Sequence, residues 1–305
     1  MPVLVLDTGN ALFKLPTPGG DPKEKERAKL LLEQMDALGT TAMAVGARDL
    51  ALGTGFLTQG AKGRKMKLLS ANLVDAKGKL FFPASTVVTV GEVKFGLVGL
   101  SPEGPVATQA GVVGGASVKA AITEARRLRE KEKVDVVVVL AAVPYKTAVT
   151  LSQEAGNAVD FILQSHESRS SGVAQRNDFA SLISSGERGR QLVRLELSVG
   201  GKGPFVDLGE SARAQQRLKI LDKNLEQARQ SLAAAKDEQV RKTWQENITH
   251  FEAQRKGVAL QAEAAEQGSE RTLSLSTLTL GGGFVDDPEL KQRVERIQPA
   301  GSASH

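Results

Sequence analysis

Residues 134–143, VDVVVVLAAV, constrain the fold more than any other stretch of this chain. An almost unbroken β-branched and aliphatic run has no polar side to turn to water, so as a strand it must be covered on both faces. Such strands belong to parallel sheets layered with helices, and the flanking segments have the matching pattern. Residues 3–6, VLVL, read as a short buried strand. Residues 23–38 form an amphipathic helix with Leu31, Met35 and Leu38 on its inward face and Gly39 as its stop. TAMAV is the next strand, followed by a loop at 46–53. KLLSANLV and STVVTVGEVKFGLVGLS supply further strands, the latter broken at Gly91-Glu92. Helices are expected at 117–131 and 146–155, a strand at VDFILQSHES, and two strands around a glycine turn in SLISSGERGRQLVRLELSV. Alternating strands and helices predict an α/β layered domain over residues 1–208. In such folds chemistry gathers in loops at the C-terminal ends of strands, which selects DTGN, GARD, AAVP and SHES.

Beyond the glycine-rich GGKGP the composition changes. Residues 211–266 are rich in Ala, Gln, Glu, Lys and Arg, without proline. Leu218, Leu221, Leu225, Ala228 and Leu232 recur at steps of three and four. Val240, Trp244, Ile248, Phe251 and Val258 continue the pattern past a polar break near Lys236-Asp237. This is the seam of an antiparallel helical hairpin, or short coiled coil, inserted over 209–268. Each arm of about 25 residues would reach roughly 37 Å. The seam is expected to pair mainly with itself and to leave its outer surface for docking another protein. Over 269–298 the chain returns to a strand, with Leu273, Leu275, Leu278 and Leu280, and to a closing helix capped by Asp287 before Pro288. Residues 299–305 read as a disordered tail, with His305 a passenger.

The 305 residues have a net charge of +5, which permits an acidic partner without demanding one. One Trp, one Tyr and 10 Phe give poor support for a base-stacking nucleic-acid platform. Without cysteine there are no disulfides, thiolate metal sites or cysteine nucleophiles. No apolar run reaches the roughly 20 residues of a membrane span, and the first residues do not read as an export signal.

The four loops come in a familiar order. VLVLDTGNALF resembles the Leu-Asp-Ala-Gly-Asp-Leu-Phe segment of the 5′-nucleotidase family, within the calcineurin-like metallophosphoesterases. MDALGTTAMAVGARDLALG is similar to that family's Gly-Asn-His-Glu loop with the strand before it. LLSANLVD and VGEVKFGLVGLS match its connecting strands. VDVVVVLAAVP lies where the family has Leu-Ser-His-x-Gly, and VDFILQSHES where it has Gly-His-x-His. The resemblance covers residues 3–200, and more loosely 273–297. It implies a β-sandwich flanked by helices.

It also implies a two-metal phosphoesterase site, in which paired divalent ions clamp a phosphate and activate a water. Carried over residue by residue, the bridging Asp falls on Asn10, the Asn ligand on Ala47 and the catalytic His on Arg48. Further ligands fall on Ala142, His166 and Ser168, of which only His166 keeps the family residue. The family's first Asp-x-His pair would lie before Met1, and its nucleotide-binding C-terminal domain has no counterpart here. The expectation is a catalytically degraded domain acting by binding or assembly, with no cofactor. Asp7, Asp49 and Glu167 are nearby carboxylates, read as a turn residue, a loop cap and an exposed side chain. Arg48 could take an anion at the old phosphate position, or pair with Asp49 or Asp7. One alternative is a hydrolase completed by upstream residues and a Mn-, Zn- or Mg-type ion pair. Another is a basic adaptor for acidic partners. The resemblance suggests a periplasmic or extracellular setting.

Overall fold

The computed structural model describes residues 2–165, 174–184, 186, 189–266 and 270–299. They divide into two units, residues 1–194 with 276–305, and residues 195–275.

In the first unit the elements in order are β1 (Val5–Asp7), α1 (Glu24–Ala37), β2 (Thr40–Ala44), α2 (Gly53–Ala61), β3 (Lys67–Leu69), β4 (Leu73–Asp75), β5 (Ser85–Val90) and β6 (Val93–Leu100). There follow β7 (Gly104–Pro105), β8 (Val112–Gly114), α3 (Ser117–Arg127), β9 (Val136–Ala141), α4 (Tyr145–Glu154), β10 (Phe161–Gln164), β11 (Gln175–Asn177) and β12 (Ala180–Ser184). Strands β1, β2 and β3 form a parallel sheet in that order. The larger sheet runs β11-β12-β10-β9-β6-β5, parallel from β12 to β6 with antiparallel edges. A third, small antiparallel sheet has the order β4-β8-β7.

Why the valine run was decisive is visible in β9, where all six residues are buried. Val137, Val139 and Ala141 join Val98, Leu100, Ala121, Ala125, Leu128 and Leu151 in a core between the large sheet and α3 and α4. A second core packs Ala28, Leu32, Met43, Val45, Leu57, Met66 and Leu68 between the small parallel sheet and α1 and α2. The two sheets lie against each other, and close enough that a Cβ on Gly99 would stand 2.3 Å from the Leu69 carbonyl oxygen. A buried polar knot joins the layers where the strands end. Ser101 Oγ donates to the Val45 carbonyl at 2.6 Å, Ser70 and Ser101 share a hydroxyl bond at 2.8 Å, and Asn72 Nδ2 donates to the Ser101 carbonyl. Sheets flanked by helices are the expected α/β architecture.

The second unit holds β13 (Gln191–Val199, shared at the boundary), β14 (Val206–Asp207), α5 (Glu210–Ala234), α6 (Glu238–Glu266) and β15 (Arg271–Thr279, likewise shared). Its sheet has the order β13-β15-β14, and β14 runs parallel to β15. The helical hairpin is present, turning at 235–237. Leu221, Leu225, Ala228 and Val258 are buried along its seam, and Leu218 and Phe251 are packed against it. Ion pairs Arg255–Asp222 and Arg229–Glu252 cross it outside the seam. The chain closes in the first unit with α7 (Pro288–Ile297), whose Asp287 cap accepts the Leu290 N–H at 2.8 Å. Arg293 grips both carboxylate oxygens of Glu33 on α1 at 2.8 Å each.

Several details differ from the sequence reading. The inward face of α1 is set by Ala28 and Leu32, with Met35 partly buried, while Leu31 and Leu38 are exposed. Leu38 stands past the last helical turn, where left-handed Gly39 leads the chain away. Val240 is exposed at the hairpin tip. Leu278 and Leu280 are exposed where β15 has run past the short pairing with β14. The 117–131 helix ends at Arg127 in a wider turn over 128–132. The loop at 46–53 closes in a 3₁₀ turn, Asp49–Leu52, leading into α2. The tail residues 300–305, His305 included, lie outside the described residues.

Candidate functional site

Three of the four selected loops converge, and they do so through hydrogen bonds rather than through ligand side chains. The first leaves β1 at Asp7, whose Oδ1 accepts the Gly9 N–H at 2.7 Å, the turn role expected of it. Gly9 has φ +87°, and a Cβ there would stand 2.6 Å from the Ala44 carbonyl oxygen and 3.2 Å from the Ala142 methyl. Only glycine lets the chain pass between β2 and the loop after β9. Asn10 follows at φ 63°, a left-handed conformation that asparagine tolerates better than most residues.

The Asn10 amide is bonded at both ends. Its Oδ1 accepts the Arg48 N–H at 3.1 Å, and its Nδ2 donates to Ser165 Oγ at 3.1 Å. Ser165 Oγ donates in turn to the Gly9 carbonyl at 2.8 Å. One side chain therefore ties together the loops after β1, β2 and β10. Gly46 is required beside it, because a Cβ there would lie 2.4 Å from Asn10 Oδ1.

Asp49 is the centre of the second knot and is fully buried. Its Oδ2 accepts the N–H groups of Asn10 at 2.7 Å and Gly46 at 2.8 Å, and its Oδ1 that of Leu12 at 3.1 Å. Desolvation pushes its carboxyl up to about 7, against the three N–H bonds, which pull the other way, with a further upward push from the nearby Asp7 charge. Asp7 is also raised, by burial, with the Gly9 N–H opposing. Asp49 is thus more than a loop cap, since it holds the β1 loop to the β2 loop.

The remaining positions lack this chemistry. Ala47 and Ala142 offer only methyl groups, and Ala142 is buried. Arg48 is half-buried, and its guanidinium has no hydrogen-bond or ion-pair partner among the described residues. Pairing of Arg48 with Asp49 or Asp7, one of the sequence readings, is not what the structure has. His166, Glu167 and Ser168 lie outside the described residues. Among the described residues no three His, Cys, Asp or Glu side chains come together as a metal ion requires. Ser165 opens the SHES loop selected in the sequence, but only His166, Glu167 and Ser168 were singled out there, and nothing local marks the Ser165 hydroxyl as the partner of Asn10. No described helix is long and apolar enough to cross a membrane.

No family model matches the sequence, and no curated protein matches it either. Solved structures do. The sulfate thiohydrolase SoxB of Thermus thermophilus aligns with 64% of this chain and 35% of its own, at 20% identity and a TM-score of 0.55. A 5′-nucleotidase precursor from Thermus thermophilus aligns with 67% of this chain and 45% of its own, at 20% identity and a TM-score of 0.53. The calcineurin-like phosphoesterase YfkN of Bacillus subtilis aligns with 64% and 70%, at 18% identity and a TM-score of 0.51. This chain therefore spans less than half the length of the first two. At these identities the likeness establishes the fold, which is that of the metallophosphoesterases.

Proposed function

We propose that this chain is a non-hydrolytic protein on a metallophosphoesterase fold, working by binding or assembly. The observation that carries the reading is the Asn10 amide, which stands where the resemblance aligns the bridging Asp. It is neutral, and both its polar atoms are engaged, with the Arg48 N–H and with Ser165 Oγ. Two adjacent dications need anionic oxygen between them and several oxygen or imidazole donors around them. Ala47 and Ala142 supply neither, and both Asp49 oxygens face backbone N–H groups. These residues do not fit a two-ion centre, so no catalytic step is assigned to them. Hydrogen bonds between loops do here what bridging ligands would do in a metalloenzyme.

Two surfaces are assigned to binding in this reading. Arg48, with its guanidinium unpaired among the described residues, is the candidate anion contact. The α5–α6 hairpin is the candidate docking arm for a protein partner, because it packs on its own seam and turns a long polar surface outward. A periplasmic or extracellular setting is part of this reading and rests on the resemblance alone.

The test is calorimetric titration of the full chain with Mn²⁺, Zn²⁺ and Mg²⁺, alongside turnover of an aryl phosphate and of a nucleoside monophosphate. No stoichiometric ion pair and no turnover above buffer are expected. Binding of two ions per chain, with turnover that is lost in Asn10→Ala, would overturn the reading in favour of a metal-dependent hydrolase. For the hairpin, a chain lacking residues 211–266 is expected to lose partner association while keeping the circular dichroism of the α/β unit. Retained association rejects the docking arm.

A further inference from the structure

A different surface of the first unit has a charge imbalance that the site does not use. Between Asp49 and Asp75 the sequence has no Asp or Glu, yet it contains Lys62, Arg64, Lys65 and Lys67 within six residues. These four lie on the turn between α2 and β3, and the turn is held in a defined shape. Gly63 takes φ +78°. The buried Met66 anchors the turn to the core, and Asp36 Oδ1 accepts the N–H groups of Lys65 and Met66 at 2.8 Å each. Lys62, Lys65 and Lys67 are exposed on either side of that anchor.

Helix α1 extends the patch. Lys29 is exposed one turn before Glu33, which itself lies close enough to Arg64 to feel its charge. Two carboxylates on this face of α1 are already engaged, Glu33 by the Arg293 fork and Asp36 by the two backbone N–H groups, while Glu26 lies three residues before Lys29. None of the five cations has an ion-pair partner among the described residues. At the edge of the patch, two residues past Asp36, Leu38 is 77% exposed.

We propose that the Lys62–Lys67 turn, with Lys29 and Leu38, is a docking surface for an anionic lipid bilayer. Charge complementarity makes the partner anionic. Exposed lysines with long apolar stems, beside an exposed leucine, suit an interface in which headgroups take the charge and the acyl boundary takes the side chain. A nucleic acid is served less well, since the turn 62–67 offers no aromatic side chain for a base and no use for Leu38. This inference is independent of whether the loop site hydrolyses anything.

Flotation of the full chain with vesicles tests it. Binding is expected to phosphatidylglycerol-containing phosphatidylcholine vesicles at low ionic strength, to be lost at high ionic strength, and to be absent on pure phosphatidylcholine. Each surface cation contributes about fivefold in partitioning, so K62Q/K65Q/K67Q should weaken binding about a hundredfold. Those three side chains are exposed and the Asp36 bonds go to backbone, so the variant should keep the wild-type circular dichroism. L38S should weaken binding further. Equal binding to neutral vesicles, salt-insensitive binding, or unchanged binding by the triple variant would overturn the proposal. So would tighter retention on duplex DNA or polyglutamate than on anionic vesicles at matched ionic strength.

Discussion

Asp49 offers the sharpest quantitative test of how the candidate site is held together. Replacing it by alanine removes the acceptor for three N–H groups, those of Asn10, Leu12 and Gly46. A buried donor left without a partner costs about 1–3 kcal/mol. With some relaxation, Asp49→Ala should therefore destabilise the first unit by about 3–6 kcal/mol, a large part of the roughly 5–15 kcal/mol available to a domain. Asp49→Asn keeps one acceptor oxygen but turns an amide donor toward other donors, so it should cost about 1–3 kcal/mol. The two forms also differ with pH. The folded-state pKa is raised from 3.8 to about 7, so the folded chain holds a proton that the unfolded chain has released. The stabilisation from that proton is complete below pH 3.8 and disappears as pH rises through about 7. It amounts to about 4 kcal/mol across the window. The stability difference between wild type and Asp49→Asn, from urea unfolding followed by circular dichroism, should thus fall by about 4 kcal/mol as pH is raised across this range, from an advantage of wild type at low pH to an advantage of the asparagine variant, and level off above it. Amide exchange supplies the local readout, since the Asn10, Leu12 and Gly46 amides should lose protection selectively in Asp49→Ala. A pH-independent difference, or three amides equally protected in the alanine variant, would refute the reasoning.

Further predictions concern the supports around this site and the second unit. Gly9→Ala forces a Cβ to 2.6 Å from the Ala44 carbonyl at a positive φ, and should cost about 2 kcal/mol or more in unfolding free energy. Leu225→Ala in the hairpin seam should cost about 2–4 kcal/mol. It should lower the transition seen by Trp244 fluorescence and leave exchange in β9 unchanged. Arg293→Ala breaks the fork on Glu33 and should speed limited proteolysis across residues 281–287, whereas Arg293→Lys should restore only part of the protection.

The sequence made the layered α/β unit legible because its signals are local. A continuous valine run, a glycine after α1, a break at Gly91-Glu92 and an Asp-Pro start to α7 each follow from a few adjacent residues. What it concealed is non-local. The inward face of α1 depends on what Ala28 and Leu32 meet in the small sheet, and the alternation in β15 cannot reveal that its pairing with β14 covers only two residues. Helix α2 escaped notice because Gly53, Gly55 and Gly60 argue against helix propensity. At the site, the neutral amide of Asn10, the methyl groups of Ala47 and Ala142 and the cation of Arg48 were legible as residue types. The role of Asn10 in the knot was not, since it needs Arg48 at 38 positions' separation and Ser165 at 155.

The knot bears on how these loops hold one another in place through hydrogen bonds alone. In a two-ion centre the cations themselves draw the loops together, and removing them would leave side chains and backbone donors repelling or unpaired. Here each potential orphan has a partner of opposite kind. Asp49 faces three N–H groups, the Asn10 carbonyl oxygen faces the Arg48 N–H, and the Asn10 amide nitrogen faces a serine hydroxyl. An aspartate at position 10 would offer only acceptors between a backbone donor and Ser165, close to the Asp49 carboxyl and to Asp7. The neutral amide is the one change at that position that keeps the size while supplying both a donor and an acceptor. One amide thus closes three loops onto one another, with no cluster of metal-ligating side chains among the described residues.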